Sequence, residues 1–201
     1  MKFNRAILTV VITTVLSALV IAAHAQTEKG KLIVGGSVNI SESVQSTTHT
    51  FNLALQPTFG AFVINNLAIG GTYSFSVGST RTLNATTDVH STTTTINTLV
   101  GPLVKYYFGN KPMKPFISAN AGYSVYTQLR SNSSPGSSAA ITNYDGGQFG
   151  GSAGIAYFFN QHIALESAMY ITTSAYKTQI PTTRFGFSFG LYAFLDKKKQ
   201  E

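Results

Sequence analysis

Between Phe185 and Leu195 the chain reads F-G-F-S-F-G-L-Y-A-F-L, an alternation in which every second residue is apolar and most are large. Phe185, Phe187, Phe189, Leu191, Ala193 and Leu195 share one face, and Gly186, Ser188, Gly190, Tyr192 and Phe194 share the other. Period two is the signature of a strand, whose successive side chains point to opposite sides. The same division sets Ile163, Leu165, Met169 and Ile171 against Ala164, Glu166, Ala168 and Tyr170. It sets Phe149, Ala153, Ile155, Tyr157 and Phe159 against Gly150, Ser152, Gly154 and Ala156, and Leu67, Ile69, Tyr73, Phe75 and Val77 against Ala68, Gly70, Thr72, Ser74 and Ser76. Each strand has one greasy face and one of small or hydroxyl-bearing residues.

Charge decides which face is outside. Only 10% of the 201 residues are charged, against about 25% in soluble domains. Lys29, Lys31, Lys111, Lys114 and Lys197 to Lys199 lie at the chain ends or in one turn, and Arg81, Arg130, Lys177 and Arg184 border polar stretches. Glu28, Glu42, Asp88, Asp145, Asp196 and Glu201 are placed likewise, so only Lys105 and Glu166 fall well inside apolar alternation. Hydrocarbon demands such exclusion of charge. A soluble eight-stranded barrel carries the inverse dressing, apolar within and charged without, and this chain turned that way would show water only Gly, Ser, Thr and Ala. A two-sheet sandwich meets the same objection. The absence of cysteine excludes disulfides, Cys-based metal sites and lipid attachment at an export boundary. The formal +7 is no nucleic-acid patch, because its lysines sit at the ends and in a turn.

Lys2 and Arg5 precede an apolar run from Ala6 to Ala22, followed by Ala23-His24-Ala25. That order is a secretory signal with a small-x-small cleavage site. The competing reading is a retained membrane helix, since the run approaches the roughly 20 residues that span a bilayer; Thr13, Thr14 and Ser17 weaken it. Residues 1–25 are therefore read as a cleaved signal peptide, 26–196 as the barrel and 197–201 as a short polar periplasmic tail.

Eight strands are expected, over 30–41, 50–64, 67–79, 92–108, 115–130, 144–159, 162–176 and 182–195. Asn65-Asn66, Gly109 to Lys114 and Asn160-Gln161 make short connections, whereas 42–49, 80–91 and 131–143 are longer and rich in Ser, Thr and Asn. Short turns on one side and long polar loops on the other, with an even strand count, describe an outer-membrane barrel. Closure is required because an open edge in lipid leaves backbone groups without partners. The expected fold is thus all-β, an eight-stranded antiparallel transmembrane up-and-down β-barrel in the cell outer membrane.

The stretch L-A-L-Q-P-T-F-G-A-F-V-I-N-N-L-A-I-G-G-T-Y-S-F-S-V (Leu53 to Val77) resembles the second hairpin of small bacterial outer-membrane β-barrel proteins. G-P-L-V-K-Y-Y-F (Gly101 to Phe108) with P-F-I-S-A-N-A-G-Y (Pro115 to Tyr123), and G-S-A-G-I-A-Y-F-F-N-Q-H-I-A-L-E (Gly151 to Glu166), resemble that family's strand ends and a later hairpin. The likeness implies a barrel of the OmpA or OmpX type, mostly without a catalytic role. Many such barrels end on an aromatic residue recognised by the assembly machinery; here D-K-K-K-Q-E follows Leu195, and Phe194 is the nearest counterpart.

Lys105 and Glu166 alternate inward at similar depth and are expected to form a lumen charge pair, with Gln56, Thr58 and Asn120 as polar neighbours, because an isolated buried charge is costly. Such a pair plugs a narrow lumen or, alternatively, lines an ion or proton path. Tyr106, Tyr107, Phe108, Tyr157, Phe158 and Phe159, with Tyr192 and Phe194 of the last strand, gather at the expected periplasmic margin. Tyr106, Phe108, Tyr157, Phe159 and Phe194 are assigned to an aromatic girdle. No catalytic, cofactor or metal residues are assigned: His49, His90 and His162 have no ligand spacing, and Asp88-His90-Ser91 is a loop coincidence. The expected role is structural or surface-interacting, ahead of a narrow pore for ions or very small solutes and, distantly, a lipid A-modifying enzyme. Expected partners are outer-membrane lipid, the barrel assembly machinery and a ligand at the extracellular loops 80–91 and 131–143. A closed barrel resists detergent until heated, so electrophoresis of the outer-membrane fraction with and without boiling should show two mobilities; a single mobility with protein in the periplasm would reverse the faces.

Overall fold

The computed structural model of the chain describes residues 27–45, 48–84, 89–132, 140–177 and 181–196. The expected signal peptide and the tail from Lys197 onward lie outside the described residues. Eight antiparallel strands close in sequence order: β1 Leu32–Gln45, β2 Thr48–Ile64, β3 Leu67–Asn84, β4 Val89–Tyr107, β5 Met113–Asn132, β6 Ala140–Phe158, β7 Ile163–Tyr176 and β8 Thr182–Leu195. The first and last strands meet from Leu32↔Leu195 to Asn39↔Ser188.

Alternation sets the faces as the sequence suggests. Ile40, Phe59, Val100, Ile117, Phe149, Met169 and Phe187 are among many large apolar side chains exposed on the wall, while Thr72, Leu99, Ser124, Ala156, Ala164 and Phe194 are buried within. Small inward residues are what an eight-stranded barrel can hold, because its interior is only wide enough for side chains to fill. The tight connections at one end need unusual backbone: Asn66 has φ 69° and Gly109 φ 78°, the left-handed region that Asn and Gly tolerate best.

At the opposite end the strands outrun the expected loops. The segments 42–49 and 80–91 are largely strand and 131–143 is strand at both of its ends, because β1, β3 and β5 continue to Gln45, Asn84 and Asn132 and their partners begin at Thr48, Val89 and Ala140. Thr-rich polar sequence reads as loop by composition, yet Thr is β-branched and pairs well across strands. Thr50 Oγ1 lies 3.2 Å from Thr80 Oγ1, and Thr173 Oγ1 lies 3.0 Å from Thr183 Oγ1. The 20 residues of β5 give roughly 65 Å of strand at about 3.3 Å per residue. Tilted as barrel strands are, that is about twice the ~25 Å apolar band of an outer-membrane barrel. The hairpins therefore stand well clear of the hydrocarbon.

Outward charge marks where the band ends. Asp145 on β6 and Lys177 beyond β7 form an ion pair at 3.2 Å, above the outward Phe149. The Lys177 hydrogen bond and charge, with a hydrogen bond from Tyr123, hold the Asp145 carboxyl below the usual carboxylate range. Ile155, exposed on the wall well below that pair, faces hydrocarbon; Ile155→Arg should lower stability by about 2–4 kcal/mol. The expected readout is loss of the heat-modifiable species in the outer-membrane fraction, and undiminished assembly would contradict the face assignment.

Candidate functional site

Among the described residues, the lumen is where the chain buries two ionised groups against each other. Lys105 on β4 and Glu166 on β7 lie on inward positions and meet at 2.5 Å, each side chain 4% exposed. The second carboxylate oxygen of Glu166 accepts a hydrogen bond from the Tyr107 hydroxyl at 2.6 Å. The Lys105 ammonium also sits over the rings of Tyr192 and Phe116, 4.1 and 4.5 Å from their centroids. Cation–π contact of this kind gains strength when desolvated. Inward Gly190 makes the room, since a Cβ there would come 2.7 Å from the Tyr192 ring.

Below this cluster, toward the tight turns, the lumen is closed by aromatic packing. Phe158 and Phe194 have ring centroids 4.8 Å apart, Phe62 stacks on Phe194 at 6.0 Å, and Tyr107 stands 5.8 Å from Phe116 and 6.1 Å from Phe194. Phe194 is 0% exposed, which corrects its assignment to the girdle. Even-numbered positions of β8 face inward, so Phe194 joins Tyr192 inside, and Tyr107 and Phe158 do the same on their strands. Tyr106, Phe108 and Phe159 are exposed on the outer wall and Tyr157 is half-buried; Tyr106 packs edge-on against Phe108 at 4.8 Å, and Tyr157 against Phe159 at 5.2 Å.

The segment before β1 covers the same end. Asn66 N donates to the Thr27 carbonyl at 2.7 Å and Gly30 N to the Phe62 carbonyl at 2.8 Å. The Thr27 hydroxyl meets the Asn66 side chain, and Lys114 Nζ donates to Thr27 Oγ1 at 2.7 Å. Lys31 pairs with Asp196 at 3.0 Å. Nothing in the sequence marks this strap, because each contact joins residues remote along the chain.

Above Lys105 and Glu166 lies a polar cavity of about 100 Å³, lined by Asn39, Gln56, Thr58, Asn120 and Gln148 among others. Its upper limit is a belt in which Ser124 donates to Asn97 Oδ1 at 2.7 Å, Tyr176 to the same oxygen at 3.2 Å, and Ser174 to Gln148 Oε1 at 3.1 Å. Tyr126 stacks between Tyr144 and Tyr176 at 6.1 and 5.6 Å. Sequence reasoning named Gln56, Thr58 and Asn120 as neighbours of the pair but missed this belt and the tyrosines above it; their inward parity was the available signal. His162 lies in a tight turn and donates from Nδ1 to the Phe194 carbonyl at 3.0 Å, while His49 and His90 stand opposite Arg81 and Leu83 in the strand registers near the far end.

Removing one member of a buried ion pair leaves the other uncompensated, at about 3–5 kcal/mol. Glu166→Gln should therefore destabilise the barrel by about that amount in urea unfolding from detergent micelles, while Lys105→Met with Glu166→Gln should lose clearly less. Additive losses would mean that the two charges do not depend on each other.

The model of the family described as outer membrane protein beta-barrel domain matches residues 11–192. Among solved structures, the outer membrane protein OprG of Pseudomonas aeruginosa aligns with a TM-score of 0.51 at 15% identity, over 86% of this chain and 100% of that one. Neisserial surface protein A aligns at 0.45 and 16% identity, over 82% and 97%. Ail, the attachment invasion locus protein of Yersinia pestis, aligns at 0.44 and 12%, over 82% and 95%. No curated protein matches the sequence. The OprG likeness is one of fold, and the family match spans nearly the whole chain. With a closed eight-stranded wall that is apolar outside and polar within, the chain belongs to the outer membrane protein beta-barrel domain family and is an integral protein of the outer membrane.

Proposed function

We propose that the protein works as a closed, non-conducting barrel whose role is to hold tall extracellular hairpins at the cell surface, without catalysing a reaction. The observation that carries this reading is the sealed periplasmic end. The rings of Phe62, Tyr107, Phe116, Phe158 and Phe194 pack across it, and the Thr27–Lys31 strap lies beneath. Lys105 and Glu166 sit on that floor as a neutral unit. An ion would have to leave water, displace aromatic packing and separate a desolvated pair, each of which is costly. The hairpins support the surface role: their Thr-rich strands extend the sheet beyond lipid and offer hydroxyls on a rigid frame, where interaction residues are commonly carried.

The histidines support a non-catalytic role. Of the histidines with described side chains, His162 lies at the periplasmic end and His49 near the extracellular end, so neither reaches the buried carboxylate of Glu166 to form a nucleophile–base–acid set.

The test is conductance in a planar bilayer. The parent protein should insert without discrete current steps, whereas Phe158→Ala with Phe194→Ala, which empties the centre of the floor, should open brief steps. Regular ohmic steps from the parent would overturn the closed reading in favour of a narrow pore. The mass of lipid A should be unchanged on expression; a lost or added acyl chain would establish an enzyme instead.

A further inference from the structure

The wall of the barrel is not zipped to the same height all round. β1 pairs with β2 up to Gln45↔Thr48, and β8 pairs with β7 up to Ser174↔Thr182. Between β1 and β8 the register ends at Asn39↔Ser188. Continuing it would set Ile40 opposite Phe187 and Ser43 opposite Arg184, but among the described residues the two strands part there. The parting begins near the top of the apolar wall, flanked outside by Ile40 and Phe187, with Phe185 83% exposed.

Two features of the lumen lie behind this parting. Asn39 is 8% exposed, and its Oδ1 is a buried acceptor without a hydrogen-bond partner among the described residues. Buried polar atoms of that kind are rare and call for a donor. Asn39 lines the same cavity as Ser188, Tyr170 and Arg184. Arg184 occupies an inward position on β8 beside Thr172, forms no ion pair among the described residues, and its charge acts on the hydroxyls of Tyr126 and Tyr170. Glu166, the inward carboxylate that lines this cavity, is already neutralised by Lys105. The cavity therefore carries, among the described residues, one exposed cation at its edge without an ion-pair partner and one buried acceptor without a hydrogen-bond partner, beside the stretch where β1 and β8 are no longer paired.

We infer that the parted β1–β8 seam admits the headgroup of an anionic, hydroxyl-bearing lipid into the lumen, where Arg184 binds the phosphate and Asn39 Oδ1 accepts a hydroxyl hydrogen. The acyl chains stay outside along Ile40, Phe185 and Phe187. A guanidinium suits a phosphate because its fork donates two parallel hydrogen bonds. The exposed strand edges offer further backbone donors, as any unpaired edge does. Because the floor is closed on the proposed reading above, the lipid is held and not passed inward; only that clause depends on the reading, and conductance tests it separately.

The probe is phosphatidylglycerol, tested against phosphatidylcholine in mixed nanodiscs holding the full barrel, with retained lipid counted by native mass spectrometry. The parent should enrich phosphatidylglycerol by about tenfold, as expected for a charge-assisted hydrogen bond, and Arg184→Gln should abolish the preference while keeping the heat-dependent gel shift. Phosphatidylglycerol with a photoactivatable acyl chain should label Ile40 and the 185–189 segment in the parent and not in Arg184→Gln. Equal retention of the two lipids, or labelling spread evenly over the wall and indifferent to Arg184, would overturn the proposal. Displacement of the retained lipid by excess soluble glycerol phosphate would also overturn it, in favour of a free solute as ligand.

Discussion

Lipid offers no hydrogen bonds, and this one deficiency shapes the chain. Each backbone N–H and C=O within the hydrocarbon has to find its partner inside the protein, which leaves a strand no choice but to have a neighbour on both sides. Eight strands in simple up-and-down order meet this only if the last returns to the first, as the Leu32↔Leu195 to Asn39↔Ser188 register does over the lower part of the wall. That seam joins the two ends of the sequence and is the shortest in the barrel. Every other pair of neighbouring strands is linked by a turn or hairpin and can zip to its full length.

Closure creates the second problem, an interior. Because the apolar faces are committed to lipid, the hydrophobic effect contributes little to holding the inside together, and the lumen is organised by packing of small residues and by satisfied polar groups. Glycine, serine and alanine on the inward face keep the bore from overfilling. Where bulk is needed, at the periplasmic end, aromatic rings supply it. The Lys105–Glu166 pair then resolves two desolvation costs with one contact, and the Tyr107 hydroxyl takes up the remaining carboxylate oxygen. Such a pair adds little net stability compared with apolar filling, but neither member tolerates loss of the other.

Lys105 and Glu166 were legible because parity and depth are both simple counts: each is the only charge well inside its apolar strand, and each lies a few residues from a tight turn. The girdle was half legible. Tyr106, Phe108 and Phe159 are on the wall, but Phe194 was grouped with them by nearness to the strand end, although its even number places it with Tyr192 on the inner face. The hairpins run taller than their composition suggests for a different reason. Thr, Ser and Asn mark a loop by composition, yet in a sheet each added Thr row finds a partner on at least one neighbouring strand, and pairing continues past the membrane. The strap from Thr27 to Lys31, the hydrogen-bonded belt of Asn97, Ser124 and Gln148, and the tyrosines above it had no local signature.

What the sequence determined by itself was the number of strands, which face of each meets lipid, and the inward placement of one cation and one anion. These follow from a period of two and from the exclusion of charge by hydrocarbon, properties that a single strand already possesses. Tertiary structure decided which inward side chains meet, how the aromatic floor closes, and that the β1–β8 seam ends at Asn39↔Ser188 while its neighbours continue. Those outcomes depend on the stagger of eight strands around a closed ring, which no one strand carries, because closing the ring sets every register at once.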